Sequence, residues 1–331
     1  MHSKNTSHGT YVVTYDAVNR TQSFRPKNIL IQSRDVLFGR FHQRLHRVMH
    51  QALSGVIVET IDMNQLRNEI WQQVEIRVTD HSKQVVLSTC PEIADHHPKS
   101  EGLLLNINRL FSTSGEIIGY GPRPGFKPLQ EQFESLVNKI AGRFVVLIED
   151  GAFTGGTMRF VIKELERRGV KVTTIVIGFC KNGSGDTVRN ALNGELVIVH
   201  PISDLIDWIA DHDLIPFMPN CGRVLGEETI KGLMPVQRGD GFSCAYPYIL
   251  PFGKTDEWAS LPSDHAQELS RLCLDTSIEL FGRISKKMTI GEFLRSNPRV
   301  SMPIEIGAEL VQTATETEMV AFLESARKRI R

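Results

Sequence analysis

Phe144-Val145-Val146-Leu147-Ile148-Glu149-Asp150-Gly151-Ala152-Phe153-Thr154-Gly155-Gly156-Thr157 is the stretch around which the rest of the chain is organised. Its five leading apolar residues, mostly β-branched, predict a short strand buried on both faces. Two adjacent carboxylates, Glu149 and Asp150, stand where that strand should end. From Met158 to Arg168 the spacing of Met158, Val161, Ile162 and Leu165 predicts a helix, with Gly169 as its stop. A loop of small residues between strand and helix leaves the N–H groups of Thr154 to Thr157 unpaired at a helix start. There they point at an anion, helped by the helix dipole. Gly155 and Gly156 bring no Cβ into the path of a phosphate, and the hydroxyls of Thr154 and Thr157 can donate to the same oxygens.

Two familiar phosphate loops do not fit. A P-loop requires a Lys after its last glycine, and Thr157 follows Gly156. A dinucleotide fingerprint places its acid after the glycines, whereas here the acids precede them. Carboxylates ahead of a phosphate loop suit a ligand whose hydroxyls, or whose bound Mg²⁺, lie close to its phosphate. Ribose 5-phosphate has that layout.

At these residues the sequence resembles the type I phosphoribosyltransferases, whose signature is four apolar residues, an acidic pair, a variable stretch and Thr-Gly-x-Thr. Ile148-Glu149-Asp150 and Thr154-Gly155-Gly156-Thr157 match it residue by residue. The resemblance covers this motif, extended by the helix and strand that follow it. It implies binding of 5-phosphoribosyl-1-pyrophosphate (PRPP) with Mg²⁺. Glu149 and Asp150 would hold the ribose hydroxyls, and could contribute to the metal. Phe153 to Thr157 would hold the 5-phosphate. Two positions depart from the pattern. Phe153 stands where relatives acting on 6-oxopurines resemble one another in carrying Asp, so a purine route through a base at that position is in doubt. Gly151 is less apolar than the family's usual residue.

Composition sets bounds. The 331 residues suffice for one large or two medium domains, and 41% hydrophobic with 23% charged residues is ordinary for a soluble globular chain. Lys plus Arg and Asp plus Glu number 38 each, so no bulk basic field points to nucleic acid or an anionic membrane. No apolar run approaches the ~20 residues of a membrane span. The polar Met1 to Thr10 has no signal-peptide core, and the expected place is the cytoplasm. Five dispersed cysteines without a C-x-x-C argue for free thiols rather than zinc.

In chain order, residues 1–10 are expected to be a disordered arm and 11–215 a phosphoribosyltransferase-like α/β domain. Strands are expected at Tyr11–Tyr15, Val56–Ile61, Val74–Val78, Gln84–Leu87, Val170–Phe179 and Glu195–His200. Helices are expected at Ser33–Leu53, Asn64–Gln73, Leu129–Ile140, Asp186–Leu192 and Ser203–Ala210. Along the first helix His42, His46 and His50 share a face, which reads as a solvated basic surface. Gly102–Ile107 and Glu116–Tyr120 read as a hairpin.

The loop at Ser88 and Thr89, ending the fourth strand, is a candidate for contacting pyrophosphate. So is the rigid basic turn holding Arg123 and Lys127, since the resembled family closes a loop ahead of the acid pair over PRPP. Residues 216–262, rich in Pro, Gly and aromatics, read as a hood over an aromatic acceptor, with Tyr248, Phe252 and Trp258 as stacking candidates beside Phe153. Residues 263–331 read as a helical extension (Ser263–Ile284, Thr289–Arg295, Thr315–Ile330) packing on the sheet or, in a homodimer, on another subunit. The expected activity is displacement of pyrophosphate from PRPP by a nitrogen nucleophile on a nucleobase-like acceptor. A PRPP- or nucleotide-sensing regulator and a nucleotide N-glycosidic hydrolase remain as alternatives.

Overall fold

The computed structural model describes residues 9–25, 34–94, 103–181, 183–307 and 315–330. Residues 1–8 of the expected arm, and Gly102 of the expected hairpin, lie outside them. The chain begins with β1 (Thr10–Tyr15), α1 (Ala17–Arg20), α2 (Arg34–Ala52) and β2 (Ile57–Asp62). Next come α3 (Met63–Arg77), β3 (Gln84–Ser88), α4 (Pro91–Ala94) and β4 (Leu103–Leu104). A hairpin of β5 (Ile107–Phe111) and β6 (Ile117–Pro122) leads through α5 (Leu129–Ile140) to β7 (Phe144–Ala152). Then follow α6 (Gly156–Arg167), β8 (Val172–Lys181), α7 (Ser184–Arg189), β9 (Glu195–Ile202) and β10 (Leu205–Ala210).

The main sheet is five-stranded, in the order β4-β3-β7-β8-β9, with every pairing parallel. This is an α/β architecture with crossover helices α6 and α7 between its consecutive strands. β7 lies at its centre, and the alternation of β7 explains its apolar run. Val145 and Leu147 face one core with α5 and α6, and Val146 and Ile148 face another with α3. A second parallel sheet, β10-β1-β2, packs against that second core through Val12, Ile61 and Leu205.

Three expectations are corrected here. Ser203–Ala210 is not a helix but contains β10, paired with β1 from Thr10↔Leu205 to Thr14↔Ala210. A short apolar run does not by itself distinguish strand from helix, and β1 supplied the missing partner. Val74–Val78 is not a strand. Leu66, Ile70 and Val74 form one buried helical stripe, so α3 runs on to Arg77. Its start is fixed by Asp62, whose carboxylate accepts from the N–H groups of Asn64 and Gln65. The hairpin is shifted: Ile107–Phe111, not Gly102–Ile107, pairs with Ile117–Pro122, while Leu103–Leu104 joins the edge of the main sheet.

Beyond β10, the stretch expected to form a hood contains β11 (Arg223–Val224), β12 (Gly226–Thr229), β13 (Gly232–Pro235), β14 (Cys244–Tyr246) and α8 (Thr255–Trp258). After it come α9 (Ser263–Ile284), α10 (Ile290–Ser296), β15 (Met302–Pro303) and α11 (Met319–Arg329). A third core joins α2 (Phe38, Phe41, Leu45, Met49) to α9 and α11 (Leu280, Phe281, Leu323). The N-terminal helix and the C-terminal helices thus bury one another. Among the described residues, no helix is long and apolar enough to cross a membrane, and all five cysteines are free and buried.

Candidate active site

Because the main sheet is parallel, β3, β7 and β8 end on one edge, where ligands of open α/β sheets bind. Glu149 still pairs within the sheet, opposite Ile177, and β7 continues to Ala152. The continuation needs Gly151: a Cβ there would sit 2.6 Å from the ring of Phe179 on β8. That close approach gives a structural reason for the glycine. Asp150 accepts from the Gly151 N–H at 2.8 Å.

The loop to α6 turns at Gly155, with φ +71°, and a Cβ there would lie 2.9 Å from the Ser184 carbonyl oxygen and 3.0 Å from Val188. Gly155 is therefore demanded by the backbone and by α7, not only by clearance for a phosphate. Gly156 opens α6 under the hydroxyl of Tyr120, 2.7 Å from where a Cβ would be. Thr154 Oγ1 accepts from the Gly156 N–H at 3.3 Å, and Ser184 donates to the Phe153 carbonyl.

A cavity of about 480 Å³ opens over this edge. Its wall contains Glu149, Asp150 and all of Phe153 to Thr157, together with Thr89, Arg123, Tyr248 and Trp258. Three sequence candidates are not part of it. Ser88 is buried and folded onto its own turn, donating to the Cys90 carbonyl at 2.8 Å and accepting from its N–H at 3.1 Å. Lys127 extends into solvent beside Glu131. Phe252 is fully buried and stacks on Phe322, so it packs the core instead of facing an acceptor.

The electrostatics of the cavity are uneven. Burial, and then the neighbouring charge of Asp150, push the Glu149 carboxyl well above its ordinary range, while Arg123 pulls it back. The Nε and Nη1 atoms of Arg123 are buried without a hydrogen-bond partner among the described residues. On the far wall Tyr248 and Trp258 are sequence candidates, but the arginines beside them are not. There Arg223 lies 4.1 Å from the Trp258 ring centroid, 5.0 Å from Phe111 and 5.5 Å from Tyr248, and donates from Nη1 to the Gly115 carbonyl at 2.5 Å. Arg109 joins it from the hairpin. A single Arg opening a two-residue strand has no spacing that would reveal it. Phe153 is half-buried, with Lys181 Nζ 4.5 Å from its ring centroid.

One side of the cavity rests on a buried polar network that also escaped the sequence reading. Asp16 accepts from Arg20 Nε at 2.8 Å and from His212 Nδ1 at 2.7 Å. Asp211 accepts from the N–H groups of Asp16 and Ala17 and meets His42 Nε2 at 2.8 Å. His42, stacked on Tyr15 with centroids 3.8 Å apart, therefore leaves the expected solvated face, while His46 and His50 stay on it. Burial raises the Asp16 carboxyl, but Arg20 and His212 outweigh it and hold the group far below the ordinary range. Asp16, Asp211 and His212 could approach a metal ion, yet Arg20, His42 and the backbone already take up these carboxylates.

Over 64 residues the chain is 38% identical to a hypoxanthine/guanine phosphoribosyltransferase of Methanohalophilus mahii. The matched stretch is 19% of this chain and 32% of that protein. The likeness is partial. No protein-family model and no solved structure matches the chain.

Proposed function

We propose that the protein is a phosphoribosyltransferase that joins a nitrogen nucleophile to the ribose of PRPP and releases pyrophosphate. The observation that carries this is the convergence of Glu149 and Asp150, the Thr154–Thr157 helix start and Arg123 on one cavity at the carboxyl edge of the sheet. The partial similarity to a phosphoribosyltransferase supports it. In the reaction the bond from C1 to the pyrophosphate oxygen breaks, its electron pair leaving with pyrophosphate. The acceptor nitrogen forms the new bond to C1, and where that nitrogen carries a proton, the proton passes to the departing pyrophosphate.

The transition state is oxocarbenium-like, so positioning and electrostatics are the protein's main contributions. Glu149 and Asp150 hold the ribose hydroxyls and face the growing positive charge. The N–H groups of the loop anchor the 5-phosphate, remote binding energy that fixes C1 in place. Arg123 faces the departing pyrophosphate. Among the described residues neither Glu149 nor Asp150 has an ion pair with a basic side chain, and oxygen donors of this kind fit Mg²⁺. When bound with PRPP, Mg²⁺ would neutralise charge on the pyrophosphate, held mainly by substrate oxygens and water.

The acceptor faces Phe153, Tyr248 and Trp258. An apolar ring at Phe153 offers no base, which favours an acceptor other than a 6-oxopurine. Pyrophosphate release from PRPP, assayed against a panel of bases, is the test. Release with at least one planar nitrogen acceptor is expected. PRPP binding without release under any acceptor would mark a sensing regulator. Liberation of a base from a nucleotide by water would mark a hydrolase.

A further inference from the structure

We infer that the protein has a second oxyanion site, for inorganic phosphate, separated from the PRPP cavity by a shared wall. A cavity of about 270 Å³ lies behind Arg123 and shares Arg20, Glu92, Arg123 and Asn220 with the larger one. Its remaining lining includes Arg67, Arg299 and Asn106. The one carboxylate in the wall, Glu92, is matched by Arg20 at 3.2 Å. Among the described residues Arg67, Arg123 and Arg299 have no carboxylate partner. Arg299 is instead held by its stack on Phe126, 4.8 Å from the ring centroid. Three guanidinium groups around a small cavity form a fork-like donor set of the kind that recognises phosphate.

Asn106 narrows the ligand. Its backbone is held by Gln132, whose Oε1 accepts from the N–H at 2.9 Å and whose Nε2 donates to the carbonyl at 3.2 Å. Its side-chain Oδ1 is buried without a partner among the described residues, a costly state unless a donor arrives. The monohydrogen phosphate ion has oxyanions for the arginines and one P–OH, which Asn106 Oδ1 accepts once its side chain turns toward the cavity that the residue lines. A phosphomonoester dianion lacks the P–OH and fits less well.

Arg123 belongs to both cavities, so occupancy of one bears on the other. Resting on the transferase reading, in which Arg123 faces pyrophosphate, phosphate in the second cavity competes for that guanidinium and weakens PRPP binding. Such coupling is reciprocal and typically at least about fivefold.

The test titrates inorganic phosphate into the full chain and into an Arg67→Met/Arg299→Met variant, followed by calorimetry. The parent should bind one more phosphate than the variant, and glycerol phosphate should not replace it there. Equal phosphate binding by the two proteins overturns the site. Should the double variant melt well below the parent, Arg299→Met alone gives the same comparison, because its side chain lies at the surface. In a second arm, phosphate should raise the PRPP dissociation constant at least about fivefold more in the parent than in the variant. An equal rise in both means competition at the Thr154–Thr157 loop only, and overturns the coupling. If the parent binds no PRPP at all, the transferase reading fails while the first arm still decides the phosphate site.

Discussion

Two charged clusters flank the candidate cavity, and they are built in opposite ways. Around Asp16 nearly every polar atom is answered: Arg20, His212, Asp211, His42 and Glu92 hold one another, and backbone N–H groups complete the set. Around Glu149 and Asp150 the groups are close, but among the described residues no basic side chain forms an ion pair with either carboxylate, and Asp150 is met by the Gly151 N–H. Two carboxylates adjoin, the Arg123 guanidinium keeps two bare nitrogens, and Glu149 is driven toward its neutral form. A satisfied network fixes backbone, here tying β1 to the turn after β10. An unsatisfied cluster gains its partners from a ligand. Burial of charge is therefore not by itself the mark of a site; lack of partners is.

The contrast can be broken most forcefully at Asp16. Asp16→Asn takes from buried Arg20 and His212 the carboxylate they share, leaving Arg20 with Glu92 and His212 with Asp213, and should cost up to about 3–5 kcal/mol in denaturant unfolding. Loss of under ~1 kcal/mol would mean the network is solvated and the contrast unsound. In the parent, His212 titrates high: burial and Arg20 lower it, but Asp16 and Asp213 outweigh them. Its contribution to stability should be complete below about pH 6.5, the ordinary value, and fade as pH rises through the raised one.

Asp150→Asn addresses the other cluster. Turnover of PRPP should fall at least about 100-fold, the scale of removing one preorganised electrostatic group, with the melting temperature little changed. Activity equal to the parent's would remove Asp150 from the chemistry.

At Gly155 the two kinds of role meet. With φ +71° and the Ser184 carbonyl in the way, Gly155→Val should destabilise the fold by about 1–3 kcal/mol as well as weaken phosphate binding. Thermal melting of the ligand-free variant measures the first effect. An unchanged melting temperature would show that the loop yields and that phosphate clearance alone fixes the glycine.

The smallest effect, and the one of opposite sign, is expected at Glu149. Its raised carboxyl keeps a proton in the folded chain at a pH where the unfolded chain has lost it, so stability falls as pH rises above the ordinary glutamate range. Glu149→Gln removes that fall. It should melt higher than the parent at about pH 8 and equal to it near about pH 4, while using PRPP less well. A lower melting point at the higher pH would mean that Glu149 is stabilised by its surroundings.

The sequence alone determined what is local. The apolar run before Glu149 and the small-residue loop set β7, its turn and α6, because a strand end and a helix start are specified within a few residues. Leu129–Ile140 and Ser263–Ile284 could be bounded as helices for the same reason: their apolar stripes and termini are written in neighbouring positions. Tertiary structure decided the rest. Leu205–Ala210 is a strand because β1, nearly two hundred residues earlier, lies beside it. The side chain of Phe252 is turned into the core while those of Tyr248 and Trp258 line the cavity. Asp16 meets His212 across a separation of 196 residues, and Arg123, just past β6, and Arg223 of β11 reach one cavity. Such pairings depend on long-range packing, in which the burial of one segment sets the free energy of another, and no local pattern records it.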